Sequence, residues 1–234
     1  RMDRGMARLL DLLRETGHWD DTLVIFVSDN GIAMPGAKTT VYEPGIRLPC
    51  VVRLPSAPSQ GAVCDAMISW VDLTPTILDY AGVELPPGYS LHGRSFLPLL
   101  QGRAPEGGWD EVYASHTFHE ITMYYPMRVV RTRTHKLILN LAHPLPFPFA
   151  SDLYASSTWQ SVLLRKDANY GPRSVDAYLH RPRWELYDLA NDPWESRNLA
   201  DDPQHAETLA QLQAKLKAWQ QRTGDPWVVK YEYE

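Results

Sequence analysis

"TLVIFVSDNGIAMPGAKTTVYEPGIRLP", residues 22–49, opens as an unbroken apolar run and turns at once into Asp29, Asn30 and Gly31. Lys38 follows, with Tyr42, Glu43, Gly45 and Arg47 close behind. The run from Leu23 to Val27 is continuous rather than alternating, the pattern expected of a parallel strand covered on both faces. A helical segment precedes it after a short loop, and helix, loop, buried strand is the grammar of an α/β sheet. In such sheets ligands collect beyond the carboxyl ends of strands, which is where Asp29 and Asn30 fall. Taken alone, Asp-Asn-Gly is an ordinary turn. The same residues also offer a carboxylate and an amide oxygen, hard donors suited to Ca²⁺ or Mg²⁺. Two donors are too few for calcium, which takes about six to eight oxygens. Lys38 is either a solvated loop lysine or a point charge set against an anion.

Upstream, "RMDRGMARLLDLLRETG" places Met2, Met6, Leu9, Leu10, Leu12 and Leu13 on one broad helical face, with Gly17 as its stop signal. No N-cap and no Met lead it, so the chain reads as part of a longer polypeptide, starting partway into a domain. Downstream, "IRLPCVVRLPS" is a second strand bounded by prolines. Asp72 resembles an N-cap, Pro75 suits the first turn of a helix through Leu78 and Tyr80, and Gly82 ends it. Residues 84–108 are rich in Pro and Gly and read as surface loop with one helical turn. A boundary there divides the chain into residues 1–108 and 109–234. Beyond it, "DEVYASHTF", "YPMRVVRTRT", "HKLILNLA" and "RWELYDLAND" are strand candidates with no long helix between them, which predicts an antiparallel sheet. Residues 141–183 read as one long irregular segment, a kind that is often functional. A last helix over about residues 204–223 carries Leu209, Leu212, Leu216 and Trp219 at helical spacing. The expected class is α/β, followed by a small α+β subdomain with an antiparallel sheet and a C-terminal helix.

Composition narrows the function. A formal net charge of −5 argues against a nucleic-acid-binding surface, so no nucleic-acid partner is expected. No run of about 18 or more apolar residues is present, so no membrane span is expected. Cys50 and Cys64 are too few for a disulfide framework, and they leave the compartment open.

A second concentration of chemistry lies in "SHTFHEITMYYPMR", which brings His116, His119, Glu120, Tyr124, Tyr125 and Arg128 into a short stretch. His and Glu suit acid, base or ligand roles, and Arg128 has the fork that pairs a sulfate or carboxylate. Two neighbouring His residues are also common in surface and structural settings. No HExxH or Cys/His spacing supports zinc, and no G-x-S-x-G elbow or P-loop is present. Asp72 and Asp79 suit capping and helix-surface roles better than catalysis.

The blocks "DTLVIFVSDNG", "GAKTTVYEPGIRLP", "VDLTPTILDYAGV", "LHGRSFLPLLQG" and "ELYDLANDPWESRNLADDP" resemble, in this order, the C-terminal part of a sulfatase, over nearly the whole chain. The segment from Ser115 through Gln160 resembles members that act on N-sulfated glucosamine. The resemblance implies an alkaline-phosphatase-like α/β domain followed by a smaller antiparallel one. It implies hydrolysis of sulfamates, or of sulfate esters, by a formylglycine made within a C/S-x-P-x-R motif, with Ca²⁺ polarising the sulfate. By resemblance Asp29 and Asn30 would be calcium ligands and Lys38 the cation contacting sulfate. His119 and Glu120, with Arg128, would grip the sugar. The implied partners are a sulfated glycan or glucosamine substrate and the N-terminal half of the same enzyme, and a homodimer is compatible with the family. Lysosomal, periplasmic or secreted work would follow from heparan-type substrates.

The departure from the family is that neither "PCVVR" nor "VCDAM" is C/S-x-P-x-R, so the nucleophile and the remaining calcium ligands are expected from outside this chain. Three other readings remain: an arylsulfatase-like sulfate-ester hydrolase, a phosphodiesterase or phosphonate hydrolase of the same superfamily, and a non-catalytic carbohydrate-binding module.

Overall fold

A computed structural model describes residues 1–58, 60–103 and 107–231. In chain order these form α1 (Met2–Glu15), β1 (Val24–Val27), α2 (Glu43–Ile46), β2 (Cys50–Arg53), α3 (Leu73–Ala81) and α4 (Leu97–Leu100). There follow β3 (Glu111–His119), β4 (Met123–Thr132), β5 (His135–Asn140), α5 (Ser151–Tyr154) and α6 (Ser157–Arg165). The chain continues with β6 (Asn169–Tyr170), β7 (Arg173–Ser174), α7 (Val175–Leu179), β8 (Trp184–Asp188) and α8 (Ala206–Arg222). Two compact units result. One holds Arg1–Ser28 with Pro49–Trp109, the other Asp29–Leu48 with Asp110–Glu234.

In the first unit, β1 pairs antiparallel with β2, Val24 opposite Arg53 and Val27 opposite Cys50. This corrects the expected parallel strand. All four β1 residues are only part-buried. A continuous apolar run reports that both faces are of one kind, but carries nothing about the direction of the neighbouring strand. The side chain of Arg53 lies over the Trp19 ring at 3.6 Å and donates to the Trp19 carbonyl at 2.6 Å, closing the loop between α1 and β1. Gly82 ends α3 in the left-handed region at φ 65°, as its position predicts. Asp72 does stand at the N-cap of α3, yet its carboxylate caps nothing there. It accepts instead from the backbone N–H of Ser69 at 2.8 Å and of Arg94 at 2.9 Å. Cys50 and Cys64 are free thiols.

The second unit is built on a four-stranded antiparallel sheet in the order β3-β4-β5-β8. One face carries an aromatic core that includes Tyr42, Tyr125, Phe147, Trp159, Tyr178 and Tyr187. The other packs Val130, Leu137, Leu139 and Leu186 against Leu212 and Leu216 of α8, as the helical spacing predicts. The stretch read as irregular, residues 141–183, contains α5, α6, α7 and the β6–β7 hairpin. Its elements are two to nine residues long, too short for a periodic pattern to declare them.

The loop Asp29–Leu48 is anchored within this unit by a buried polar network. Lys136, 0% exposed, lies 2.7 Å from Glu43 Oε1 and 2.8 Å from Glu195 Oε1, and donates to the Val41 carbonyl at 3.2 Å. Arg131 reaches Glu43 Oε2 at 3.2 Å, and the Glu43 N–H donates to Glu195 Oε2 at 2.6 Å. The Tyr42 hydroxyl donates to Glu185 Oε2 at 2.8 Å, while Arg173 covers the Tyr42 ring at 3.8 Å. Burial opposes ionisation of Glu43, but Lys136 and Arg131 outweigh it and hold the carboxyl below its ordinary range. At Glu195 burial wins over Lys136, and the carboxyl is pushed up.

Candidate active site

The loop after β1 folds back on itself before it delivers Lys38. The backbone N–H of Lys38 donates to the Ile32 carbonyl at 3.1 Å, and the Gly36 N–H donates to the Tyr178 hydroxyl at 2.9 Å. Gly31 and Gly45 permit the fold-back by close approach: a Cβ on Gly31 would sit 2.2 Å from the Pro44 carbonyl oxygen. Within the loop, Asp29 Oδ1 accepts from the Asn30 backbone N–H at 2.9 Å, and Asn30 Nδ2 donates to the Gly31 carbonyl at 2.7 Å. That bond occupies the nitrogen end of the amide, the end a cation would repel. Both side chains present oxygen, so in kind the pair fits a hard divalent ion. In number it does not fill a shell, and among the described residues no group of three or more His, Cys, Asp or Glu side chains is arranged to hold a metal ion.

Lys38 Nζ lies 2.8 Å from Asp152 Oδ2, and its side chain is 19% exposed. The neighbouring Ser151 donates through its backbone N–H and its hydroxyl to the two oxygens of Glu120, each at 3.1 Å. His119 Nε2 stands 3.7 Å from Glu120 Oε1. Lys38, His119 and Glu120, expected separately from distant segments, are therefore brought into one cluster by Ser151 and Asp152 at the start of α5. The β3–β4 turn presents its part with Glu120 at φ 61°, a left-handed conformation that aims the turn residue back at Ser151. The Lys38 hydrogen bond holds Asp152 below the ordinary carboxylate range, and the two Ser151 donors do the same for Glu120. Both carboxylates are thus anionic at neutral pH beside two basic side chains. The arrangement can bind an anionic group at Lys38 and accept hydrogen bonds at the carboxylates.

Two of the cluster's members escaped sequence reasoning. Ser151 and Asp152 sit in "FASDLY", an ordinary-looking start to a one-turn helix, and only proximity to Lys38 and Glu120 marks them. Arg128 is not brought to the cluster. Its Nε and Nη2 both donate to Asp225, the latter at 2.9 Å, and its Nη1 donates to the carbonyls of His116 and Met127. His116 turns its Nδ1 toward the Tyr125 carbonyl at 3.2 Å, and burial lowers its pKa.

The Arg128–Asp225 pair is 6% exposed on each side chain, so breaking it leaves a buried charge without its partner. Asp225→Asn should destabilise the chain by about 3 kcal/mol at pH 7. Burial opposes ionisation of Asp225, but the Arg128 and Gln220 bonds prevail and its carboxyl is held low. A lowered folded pKa supplies stability above the unfolded value of about 3.9 that is lost as pH falls below it. Thermal melts of both proteins should therefore differ widely at pH 7 and converge towards pH 3. Parallel curves at all pH values would contradict this.

A family model described as Sulfatase matches residues 1–83. The chain is 43% identical over 239 aligned positions to the N-sulphoglucosamine sulphohydrolase of Homo sapiens, an alignment that takes in 97% of this chain and 47% of that protein. The chain belongs to the sulfatase family. Among solved structures, that of BT4656 in complex with its substrate D-glucosamine-2-N,6-O-disulfate superposes with a TM-score of 0.69 at 25% identity, over 96% of this sulfatase chain and 39% of that one. The phosphonate monoester hydrolase of Agrobacterium radiobacter superposes with a TM-score of 0.68 at 25% identity, over 94% and 39% respectively. The chain spans less than half the length of the curated relatives it matches. The α/β class with antiparallel sheets agrees with the alkaline-phosphatase-like fold of these neighbours.

Proposed function

We propose that this chain supplies the sulfate-gripping and part of the calcium-binding apparatus of a sulfatase that removes N-linked sulfate from glucosamine in heparan-type glycans. The observation that carries the reading is the cluster of Lys38, Asp152, Ser151, Glu120 and His119, in which Lys38 comes from the same loop as Asp29 and Asn30. The similarity to a sulphohydrolase of N-sulphoglucosamine supports the choice of substrate.

In this reading Asp29 and Asn30 hold calcium with ligands contributed from beyond these residues. The ion, when bound, polarises the sulfate oxygens. Lys38 offsets negative charge on the sulfuryl group. His119 and Glu120 orient the sugar, Glu120 through its ionised oxygens. The covalent step requires a formylglycine, and the chain contains no C/S-x-P-x-R motif to provide one.

Binding and hydrolysis are therefore expected to separate. The purified 234-residue chain should bind glucosamine N-sulfate, followed by NMR shifts of the 29–48 and 115–121 amides, and should release no sulfate. Joined to a segment that carries the formylglycine motif and the remaining calcium ligands, it should hydrolyse the sulfamate. Lys38→Ala should weaken binding by about tenfold, the worth of one charge-assisted contact. Absence of binding, or sulfate release by the chain on its own, would overturn the proposal. A second reading, hydrolysis of phosphonate monoesters, has in its favour the structural similarity to a phosphonate monoester hydrolase. It would be preferred if a methylphosphonate ester bound in the same place more tightly than the sulfamate.

A further inference from the structure

The Lys38 ammonium has a counter-ion within the chain. Asp152 Oδ2 lies 2.8 Å from it, while Asp152 Oδ1 accepts from the Leu153 N–H at 2.9 Å. Asp152 takes one of the three ammonium donors, and an anion that seats itself on that side of Lys38 displaces the carboxylate. Glu120 stands on the other side of Ser151, tied down by two Ser151 donors, so a second negative charge borders the same spot. Both carboxylates face solvent, with side chains 48% and 36% exposed. A site meant only to attract sulfate would not be flanked in this way, because like charges at short range oppose the incoming ion.

We propose that Asp152, assisted by Glu120, is a specificity-determining residue that makes the Lys38 site prefer a sulfated sugar to free sulfate. The proposal rests on the function proposed above. Free sulfate is a dianion with no N–H or O–H to donate. When it takes Lys38, the displaced Asp152 is left beside another anion with water as its only new donor. A sugar sulfamate brings its own N–H and ring hydroxyls. Once its sulfate has taken Lys38, those donors hydrogen-bond the released Asp152 and Glu120 oxygens, and charge-assisted bonds of this kind are the stronger ones. Both members of the ion pair then gain a bond to the ligand, whereas with free sulfate Asp152 exchanges the ammonium for water alone. The same exchange would favour departure of the sulfate ion once it is no longer attached to the sugar.

The test is an NMR titration of the full chain with sodium sulfate and, separately, with glucosamine N-sulfate, for the wild type and for Asp152→Asn. Asparagine keeps the shape and removes the charge at an exposed position, and a thermal melt checks that the fold is retained. Sulfate should bind the variant about threefold or more tightly, and glucosamine N-sulfate about tenfold more weakly, shifts on the scale of one charged hydrogen bond. Glu120→Gln should move both affinities in the same senses by less. Opposite signs for the two ligands are the diagnostic result, since a merely structural role for Asp152 would weaken both together. Changes of the same sign and factor, or a preference that stays where it was, would overturn this proposal and leave the function above standing. Failure of the wild-type chain to bind glucosamine N-sulfate would overturn both.

Discussion

Lys136→Met is expected to destabilise the second unit by about 3–5 kcal/mol, because it strands the buried carboxylate of Glu195. Lys136 is 0% exposed and bridges Glu43 and Glu195 at 2.7 and 2.8 Å. Methionine fills most of the same volume, so the loss is electrostatic rather than a cavity effect. Arg131 would still hold Glu43, but Glu195 would keep only its bond from the Glu43 N–H. Burial already pushes the Glu195 carboxyl up against the opposing influence of Lys136, and losing the lysine pushes it further. A raised folded pKa means stability that is present at low pH and is lost as pH rises through the folded value. The variant should therefore melt closer to wild type at pH 4.5 than at pH 7, where a fall of about 10 °C is expected for a chain of this size. Adding Glu195→Gln to Lys136→Met should recover part of the loss, since it removes the stranded charge. A pH-independent deficit with no recovery in the double variant would show that packing, and not charge, holds this loop.

The second large effect is steric. A Cβ on Gly45 would lie 2.3 Å from the Thr40 carbonyl oxygen and 2.6 Å from that of Ala37, and neither atom belongs to a flexible side chain. Gly45→Ala must therefore shift the backbone of the loop that carries Asp29, Asn30 and Lys38. Strain of this kind is expected to destabilise by about 3 kcal/mol, at the high end for one added methyl group. Its consequence for function should exceed its consequence for stability. Binding of glucosamine N-sulfate should be lost even at temperatures where circular dichroism shows the sheet of the second unit intact. Unchanged binding in a folded Gly45→Ala protein would mean that the loop's position is set elsewhere.

Some of this site was legible in the residue string. An apolar run that stops at Asp29 and Asn30 announces oxygen donors at a strand end, and the charge and size of Lys38 are read directly. His119 and Glu120 stood out because polar chemistry is dense in a strand-forming segment. The burial of Arg128 was not legible. A guanidinium looks the same in sequence whether it faces a ligand or a carboxylate 97 positions away, as Arg128 faces Asp225. Asp152 escaped for the converse reason: nothing local distinguishes it from any other acid in the first turn of a helix.

The sequence by itself determined what is encoded locally. The strands β3, β4, β5 and β8, the helices α1, α3 and α8 and the left-handed stop at Gly82 follow from periodicity, propensity and turn chemistry, all of which act within a few residues. Five ordered blocks were enough to mark the sulfatase family. Tertiary structure alone decided the antiparallel pairing of β1 with β2 and the membership of Asp29–Leu48 in the second unit. It alone also chose Asp152 as the counter-ion of Lys38, across 114 positions. Strand direction and ion pairing depend on which groups meet through space after the chain has closed its loops. That choice is made by the summed packing of the core, not by the residues on either side of the pair.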